Sequence, residues 1–218
     1  MPSERDIQNE ILRLQKLQGD KVTNEKLVKG LKDNEIPFPN KKYQIIYADP
    51  PWSFNFKSRK GLSDEAKGKL YDTMNMQDII DLPVKDIADD NCVLFLWIMN
   101  SIMPDALNVI ESWGFTYKTV AFTWVKTTNN RKYFFGGGNW TRSNPEICLL
   151  ATKGKPKRLS ASVRNLCVSQ RREHSRKPDE VRDGIVELCG DVPRVELFSR
   201  QYHSGWDVWG NEVGKSIR

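Results

Sequence analysis

Short runs of apolar residues alternate along this chain with segments in which apolar residues recur every three to four positions. The run YQIIYA at 43–48 is compact, rich in β-branched and aromatic residues, and ends at Asp-Pro-Pro. This profile is typical of a buried parallel strand that opens into a loop. Similar runs predict further strands at 92–99, 117–126, 146–152 and 194–198.

Helical spacing of apolar residues marks the segments between these runs. Residues 103–113 have an amphipathic pattern that ends at Gly114, and residues 178–188 have Pro178 near the first turn and Gly190 just past the end. Both arrangements are typical of helix boundaries. A third helical pattern at 74–87 is interrupted by Pro83.

Strands that alternate with helices predict an α/β sandwich with a mainly parallel sheet. In such sheets, ligands bind where strands end at their carboxyl termini. This rule points to the residues from Asp49, Asn100 and Ser199 onward.

The first 33 residues are polar, with apolar residues at helical spacing, and are followed by Pro37 and Pro39. We expect a helical appendage at 1–40 and one main domain at 41–218. The favoured role of the appendage is packing or contact with a partner.

Charge is distributed unevenly along the chain. The formal net charge is +6, and residues 126–200 hold 16 Lys and Arg against 8 Asp and Glu. Residues 153–172 contain seven basic residues and no acidic one. Such a stretch suits a polyphosphate backbone, whereas a solvated loop on a basic protein is the alternative.

The pattern also argues against some classes of protein. The longest apolar run, at 92–99, is far shorter than the roughly 20 residues of a membrane-spanning helix, and the polar N-terminus lacks a secretory signal. We therefore expect a cytoplasmic protein. Four cysteines without a C-x-x-C pair, and two histidines, favour reduced thiols and no metal site.

Asp49-Pro50-Pro51-Trp52 is the segment best suited to chemistry. Its carboxylate and the Pro50 carbonyl are acceptors on a rigid turn in which neither proline can donate a hydrogen bond. Adenine's exocyclic nitrogen is a poor nucleophile, so it needs alignment and acceptors for its hydrogens. Trp52 offers a flat face for a base taken out of its stack. The alternative is an ordinary strand-ending turn with a buried tryptophan.

Four separated motifs in this order resemble one known family. They are YADPPW, TRSNPEICLLATKG, HSRKPDEV and VELFSR followed by GWDVWGNE, spread over about residues 43–212. They are similar to the adenine methyltransferases represented by the catalytic seventy-kilodalton subunit of eukaryotic messenger-RNA adenosine methyltransferase and by its short bacterial and phage relatives.

The resemblance implies a Rossmann-like class I methyltransferase fold with a permuted order, in which the catalytic motif precedes the cofactor strand. It implies S-adenosylmethionine as the cofactor and a nucleic acid as the partner. The chain has no G-x-G-x-x-G after a strand, so the Gly136-Gly137-Gly138 run is expected to be a mobile loop and not a phosphate cradle.

Residue roles also follow from the resemblance. The catalytic residues it implies are Asp49, Pro50, Pro51 and Trp52. The cofactor-binding residues it implies are Ala48, Asp49, Lys177, Arg200, His203, Asn211 and Glu212. The substrate-binding residues it implies are Trp52, Lys57, Arg59, Lys60, Tyr71, Trp140, Arg142, Ser143 and Asn144. We expect the basic loop after Trp52 to close over the flipped adenine and to help hold phosphate.

Structural alternatives exist for several of these residues. Lys177 and Arg200 are equally suited to surface ion pairs with Asp179 and Glu196. Asn211 is equally suited to a turn after Gly210. His203 differs in spacing from the family pattern, and the segment 140–144 suits a loop that caps the following strand.

The leading functional hypothesis is methylation of the exocyclic amine of adenine in DNA, favoured by the shortness of the chain. The alternatives are methylation of adenine in RNA, a non-catalytic nucleic-acid-binding subunit, and methylation of cytosine or of a protein glutamine. The sequence leaves open whether the chain forms a homodimer.

Overall fold

A mixed sheet of seven strands forms the centre of the domain. The computed structural model describes residues 37–52, 74–137, 140–172 and 176–210. The strands are β1 (Tyr43–Ala48), β2 (Ala88–Ile98), β3 (Thr116–Thr127), β4 (Glu146–Lys153), β5 (Leu166–Gln170), β6 (Arg194–Leu197) and β7 (Asp207–Trp209).

The strand order is β5-β3-β4-β2-β1-β6-β7. β1 pairs in parallel with β2 and β6, β6 with β7, and β3 with β5. β4 alone among these strands runs antiparallel to its neighbours β2 and β3. The first strand, which carries the DPPW turn at its end, therefore lies directly beside β6. This arrangement confirms the predicted mainly parallel, permuted methyltransferase fold.

Four α-helices join the strands in the described part of the chain: α1 (Met76–Ile80), α2 (Val84–Ile87), α3 (Met103–Ser112) and α4 (Asp179–Cys189). Asn75 caps α1, because its side chain accepts a hydrogen bond from the Asp78 N–H. Pro83 separates α1 from α2, as its position in the sequence predicts. Gly190 ends α4 with a φ of 96°, a conformation that glycine adopts without strain.

The two faces of the sheet carry two hydrophobic clusters. On one face, residues such as Ile79, Val109 and Trp113 of the α1–α3 region pack against Ile46 and Leu94. On the other face, Val181 and Ile185 of α4 pack among Tyr47, Phe95 and Trp97. Burial on both faces explains why the central strands have continuous apolar sequences and not alternating ones.

The sequence missed two strands, β5 and β7. β5 is a five-residue edge strand with Leu166 and Val168 exposed, and β7 has three residues. Both are short and lack a buried apolar run, so neither has the pattern of a core strand. The division at residue 40 stays a prediction, although Phe38 already packs edge-on against Trp209, with ring centres 5.0 Å apart.

The basic residues of 153–172 reach from one edge of the sheet to the other. Lys153 donates to the Ala88 carbonyl at the start of β2, at the edge of the sheet opposite the end of β1. β5 then runs parallel to β3 and carries Arg171 and Arg172 back to the other edge. The two ends of this stretch therefore lie at opposite edges of the sheet, and its contact with a polyphosphate backbone stays a prediction.

All four cysteines are free, with Cys92 and Cys148 buried and Cys167 and Cys189 half-buried. Across the described residues, no helix is both long and apolar enough to cross a membrane.

Gly154 offers a test of the turn after β4. Its φ is +65°, and a Cβ there would lie 2.0 Å from the Asp90 carbonyl oxygen. At Gly114, with φ +82°, the nearest atom would be 3.8 Å away. Both alanine variants carry left-handed strain, but only Gly154→Ala adds a backbone clash. We expect Gly154→Ala to lower the Tm by about 5–10 °C and Gly114→Ala by about 2–5 °C. Equal losses in calorimetry would contradict this packing.

Candidate active site

Asp49 stands at the carboxyl end of β1, on a turn that two hydrogen bonds hold in place. The Pro50 carbonyl accepts the Trp52 N–H at 2.8 Å, and the Pro51 carbonyl accepts the Met74 N–H at 2.9 Å. A carbonyl oxygen has two lone pairs, so Pro50 retains one acceptor position. The turn therefore presents Asp49 from a fixed backbone.

Four charged side chains form an alternating chain along this edge of the sheet. The Lys177 Nζ lies 2.6 Å from Asp49 Oδ2 and 3.3 Å from Glu146 Oε2. Glu146 also contacts the ammonium group of Lys126. We call Asp49, Lys177, Glu146 and Lys126 the charge chain. Lys177 is only 7% exposed, and the Asp49 side chain is 26% exposed. The buried lysine therefore holds a carboxylate that remains accessible from the edge.

The reversed direction of β4 brings Glu146 into the site. Asp49 follows β1 and Lys126 lies near the end of β3, both at the carboxyl edge of the parallel strands. Glu146 is the first residue of β4, and because β4 is antiparallel its first residue lies at this same edge. Neither Glu146 nor Lys126 was predicted from the sequence as a site residue. Lys126 could have been predicted from the rule that ligands bind at the carboxyl ends of parallel strands. Glu146 could not, because its place at this edge depends on the direction of β4.

Burial and the neighbouring charges together shift the pKa values of Asp49, Glu146 and Lys177. Burial raises the pKa of Asp49 above its usual value, although the Lys177 ammonium opposes this shift. Burial opposes ionisation of Glu146 too, but Lys177 and Lys126 together hold its pKa below the usual value. Burial disfavours the charged form of Lys177, yet Asp49 and Glu146 raise its pKa. Lys177 therefore stays charged, and Asp49 binds a proton more readily than an exposed aspartate does.

Lys177 also lies over an aromatic ring. Its Nζ lies 5.5 Å from the centre of the Trp97 ring, and the Trp97 indole N–H donates to the Tyr47 hydroxyl at 2.6 Å. The lysine is not the surface cation that the alternative interpretation allowed. That interpretation paired it with Asp179, which instead contacts Arg172, Arg176 and Arg182.

Trp52 occupies a different position from the one proposed for it. Its side chain is 5% exposed, packs in the hydrophobic core, and donates its indole N–H to the Trp97 carbonyl at 3.0 Å. This geometry supports the alternative of a buried tryptophan that anchors the turn, and it gives no support to a stacking face for the base. The sequence could not separate these roles, because both place an aromatic residue after the turn.

The end of β6 forms the neighbouring part of the edge. Phe198 has a φ of 63°, a strained conformation for an aromatic residue, and such strain is common at functional sites. The Ser199 N–H donates to the Trp209 carbonyl at 3.0 Å, and a Cβ on Gly210 would lie 2.4 Å from the Ser199 carbonyl oxygen. Arg200 follows, close enough for its charge to oppose, together with Lys177, the rise in the pKa of Asp49 that burial causes.

His203 belongs to a second, buried charge network. Arg182 donates to both oxygens of Glu196, at 2.6 and 2.8 Å, and the His203 Nε2 lies 3.8 Å from the same carboxylate. Burial, reinforced by Arg182, lowers the pKa of His203 to about 4. The Nε2 atom is fully buried, so this nitrogen faces Glu196 and not an open cleft. A cofactor contact of His203 stays a prediction.

The segment 140–144 folds into the base of the β3–β4 connection. The Asn144 side chain accepts from the Lys126 N–H and donates to the Lys126 carbonyl, both at 2.9 Å. Arg142 donates to the Gly136 carbonyl at 2.7 Å, and the Ser143 carbonyl accepts the Gly136 N–H at 2.6 Å. Arg142, Ser143 and Asn144 thus organise this connection, as the structural alternative held, and their contact with substrate stays a prediction.

Several predicted site residues lie outside the described part of the chain. They are Lys57, Arg59, Lys60, Tyr71, Asn211 and Glu212. Gly138 of the glycine run also lies outside it. Ala48 is fully buried directly before Asp49.

The described donors and acceptors fit the amino-acid end of S-adenosylmethionine. Its carboxylate would need a cation, for which Arg200 is placed, and its ammonium would need an acceptor, for which Asp49 is placed. The buried Lys177 would act on this end of the cofactor through Asp49. These residues lie together where β1 and β6 end side by side. A site of this kind, at the carboxyl edge of a permuted Rossmann-like sheet, defines the class as methyltransferase.

The comparisons with known proteins give the family. The family model MT-A70 matches residues 43–212. The Type II methyltransferase M.MunI of Mycoplasma sp is 36% identical over 213 residues, which cover 88% of this chain and 89% of that protein. A putative N(6)-adenosine-methyltransferase MT-A70-like of Medicago truncatula is 32% identical over 177 residues, and the human N(6)-adenosine-methyltransferase catalytic subunit METTL3 is 28% identical over 178. The chain belongs to the MT-A70 family and is a methyltransferase.

The two adenosine methyltransferases are much longer than the matched region. In both comparisons the matched region is 79% of this chain, but it is only 26% of the plant protein and 28% of the human protein. The match to M.MunI, in contrast, spans most of both chains.

The charge chain predicts a pH-dependent effect of Glu146→Gln on stability. The pKa of Glu146 is lower in the folded protein than its unfolded value of about 4.3, so the ionised carboxylate stabilises the fold above that pH. This stabilisation is lost as the pH falls through the folded-state pKa. Above pH 5 we expect Glu146→Gln to be about 1–3 kcal/mol less stable than the wild type. Below about pH 4 the difference should shrink.

Denaturant unfolding at pH 7, 5 and 3.5 measures this effect. Glu111→Gln, the same change at an exposed helix position, is the matched control and should differ little from wild type at any of these values. A Glu146→Gln penalty that stays constant down to pH 3.5 would show that the carboxylate charge is not what matters.

Proposed function

We propose that this chain transfers a methyl group from S-adenosylmethionine to the exocyclic amine of adenine in DNA. The observation that carries this proposal is the position of Asp49. Its carboxylate is partly exposed at the carboxyl end of β1, on a proline turn, and is held at 2.6 Å by the buried Lys177. A fixed acceptor at this edge is what a weakly nucleophilic amine requires.

The reaction forms an N–C bond, breaks an S–C bond, and releases one proton from the amine. When bound, S-adenosylmethionine supplies the electrophilic methyl group on its sulfonium. Asp49 accepts a hydrogen bond from the amine and so orients its lone pair. The raised pKa of Asp49 makes this carboxylate a better proton acceptor than an exposed one. The remaining acceptor position of the Pro50 carbonyl suits the second amine hydrogen.

Lys177 and Glu146 act on this chemistry through Asp49. Lys177 fixes the carboxylate, and Glu146 offsets the positive charge of Lys177, which opposes the rise in the pKa of Asp49 caused by burial. Lys126 in turn balances Glu146. The alternating order of charges keeps the site close to neutral while it holds one acceptor in a single orientation.

The extent of similarity favours DNA over RNA. The match that spans most of both chains is to a protein named as a Type II methyltransferase, the kind of enzyme that modifies DNA. RNA is the second candidate, because relatives named as N(6)-adenosine-methyltransferases match over 79% of this chain. Both substrates present the same amine, so the site itself does not separate them.

Methyl transfer from labelled S-adenosylmethionine to mixed-sequence DNA and RNA tests the proposal. We expect the wild type to label DNA, and nucleoside analysis to find the methyl group on the exocyclic nitrogen of adenine. We expect Asp49→Asn to lower kcat at least about 100-fold, because the amide cannot accept the proton. Asp90→Asn, at an exposed position where β2 begins at the opposite edge, is the matched control and should retain activity.

Each alternative function has its own outcome in this assay. Label in RNA alone assigns RNA as the substrate, and label on cytosine or on protein contradicts the adenine assignment. Oligonucleotide binding without transfer to any substrate indicates a non-catalytic subunit.

A further inference from the structure

The connection between β3 and β4 is built as a fixed projection. We call its described residues, 128–137 and 140–145, the aromatic loop. The Asn144 side chain accepts a hydrogen bond from the Lys126 N–H and donates one to the Lys126 carbonyl. Thr127 forms an isolated β-bridge with Tyr133. The Gly136 N–H donates a hydrogen bond to the Ser143 carbonyl, and the Gly136 carbonyl accepts one from the Arg142 side chain. Hydrogen bonds thus hold the base of the loop from both ends.

Three large rings of this loop face solvent. Tyr133 is 64% exposed, Phe135 is 56% exposed and Trp140 is 99% exposed. The other six tryptophans of the chain are buried or half-buried. Leaving large rings in water forfeits the hydrophobic stabilisation that burial provides, so three exposed rings on one pinned loop point to a binding partner.

The charge on the loop identifies the kind of partner. Residues 128–145 include Arg131, Lys132 and Arg142 and no aspartate or glutamate. Arg171 adds a further cation, with its guanidinium 4.2 Å from the centre of the Phe134 ring. Aromatic rings among basic groups suit stacking on bases beside a phosphate backbone. Two copies of this loop facing each other would bring like charges together, which disfavours a symmetric dimer through it.

The loop also lies beside the candidate active site. It starts two residues after Lys126, whose ammonium group contacts Glu146, and Glu146 contacts Lys177 next to Asp49. A nucleic-acid strand that delivers an adenine to Asp49 therefore passes close to this projection.

We infer that the aromatic loop is a nucleic-acid contact in which Trp140, Phe135 and Tyr133 stack on bases flanking the target while Arg131 and Lys132 bind phosphates. The inference rests on the proposed function, which places the target base at Asp49. Stacking of this kind tolerates any base, so the loop contributes affinity and not sequence recognition.

Alanine variants of the exposed rings test the inference. We expect Trp140→Ala and Phe135→Ala each to weaken binding of a fluorescein-labelled 30-nucleotide mixed-sequence DNA about 5- to 100-fold in anisotropy titrations. KM for DNA should rise by a similar factor while kcat changes less. The Tm should stay near wild type, because the rings are exposed. Trp140→Phe should restore most of the affinity, since it keeps a flat ring.

Tyr117→Ala is the matched control. Tyr117 is also an exposed aromatic residue, but it lies at the start of β3, at the edge opposite the site. We expect its removal to leave DNA affinity unchanged. Equal losses at Tyr117 and Trp140 would overturn the inference, because they would show a general effect of removing surface rings.

The outcomes separate this inference from the proposed function. Methylation and DNA affinity at wild-type levels in Trp140→Ala and Phe135→Ala overturn the inference and leave the function standing. Weakened binding by these variants, in a wild type that binds DNA but transfers no methyl group, supports the inference and overturns the function. A wild type that self-associates in sedimentation, and becomes monomeric in Trp140→Ala with unchanged DNA affinity, assigns the loop to a second copy of the chain and overturns the inference.

Discussion

The burial of one ammonium group organises this end of the molecule. Lys177 is nearly inaccessible, and a lysine in that position is costly unless acidic partners compensate its charge. Asp49 and Glu146 supply that compensation from two different strands, and α4 begins two residues after the lysine. The same contacts that satisfy Lys177 therefore fix the direction of Asp49. Stability and positioning of the acceptor depend on a single charged group.

Sheet topology makes this arrangement possible. β4 runs against its neighbours, so the residue that begins it lies level with the residues that end β1 and β3. Placing β6 beside β1 brings Arg200 and the strained Phe198 to the same edge. The aromatic loop leaves from that edge as well, because it joins the end of β3 to the start of β4. The reversed direction of β4 thus places Glu146 and the aromatic loop at the same edge of the sheet as the acceptor Asp49.

Hydrophobic pattern alone predicted the central strands, the helices at α3 and α4, and the position of Asp49 at a strand end. It missed β5 and β7, because short edge strands lack the buried run that marks a core strand. It could not assign Glu146, since strand direction is a property of the whole sheet and not of the local sequence. The role of Trp52 could not be predicted from the sequence either. A tryptophan after a rigid turn fits both a ring that stacks on the base and a buried anchor of the turn, and its 5% exposure in the structure favours the buried anchor.

The most direct test of the account is a crystal structure with S-adenosylhomocysteine and a DNA strand that contains the methylated adenine site. We predict that the exocyclic nitrogen lies within hydrogen-bonding distance of the Asp49 carboxylate, with the Lys177 ammonium still on that carboxylate and the cofactor sulfur in line behind the nitrogen. An adenine held away from Asp49, or a Lys177 that leaves Asp49 and Glu146 to pair elsewhere, would contradict it.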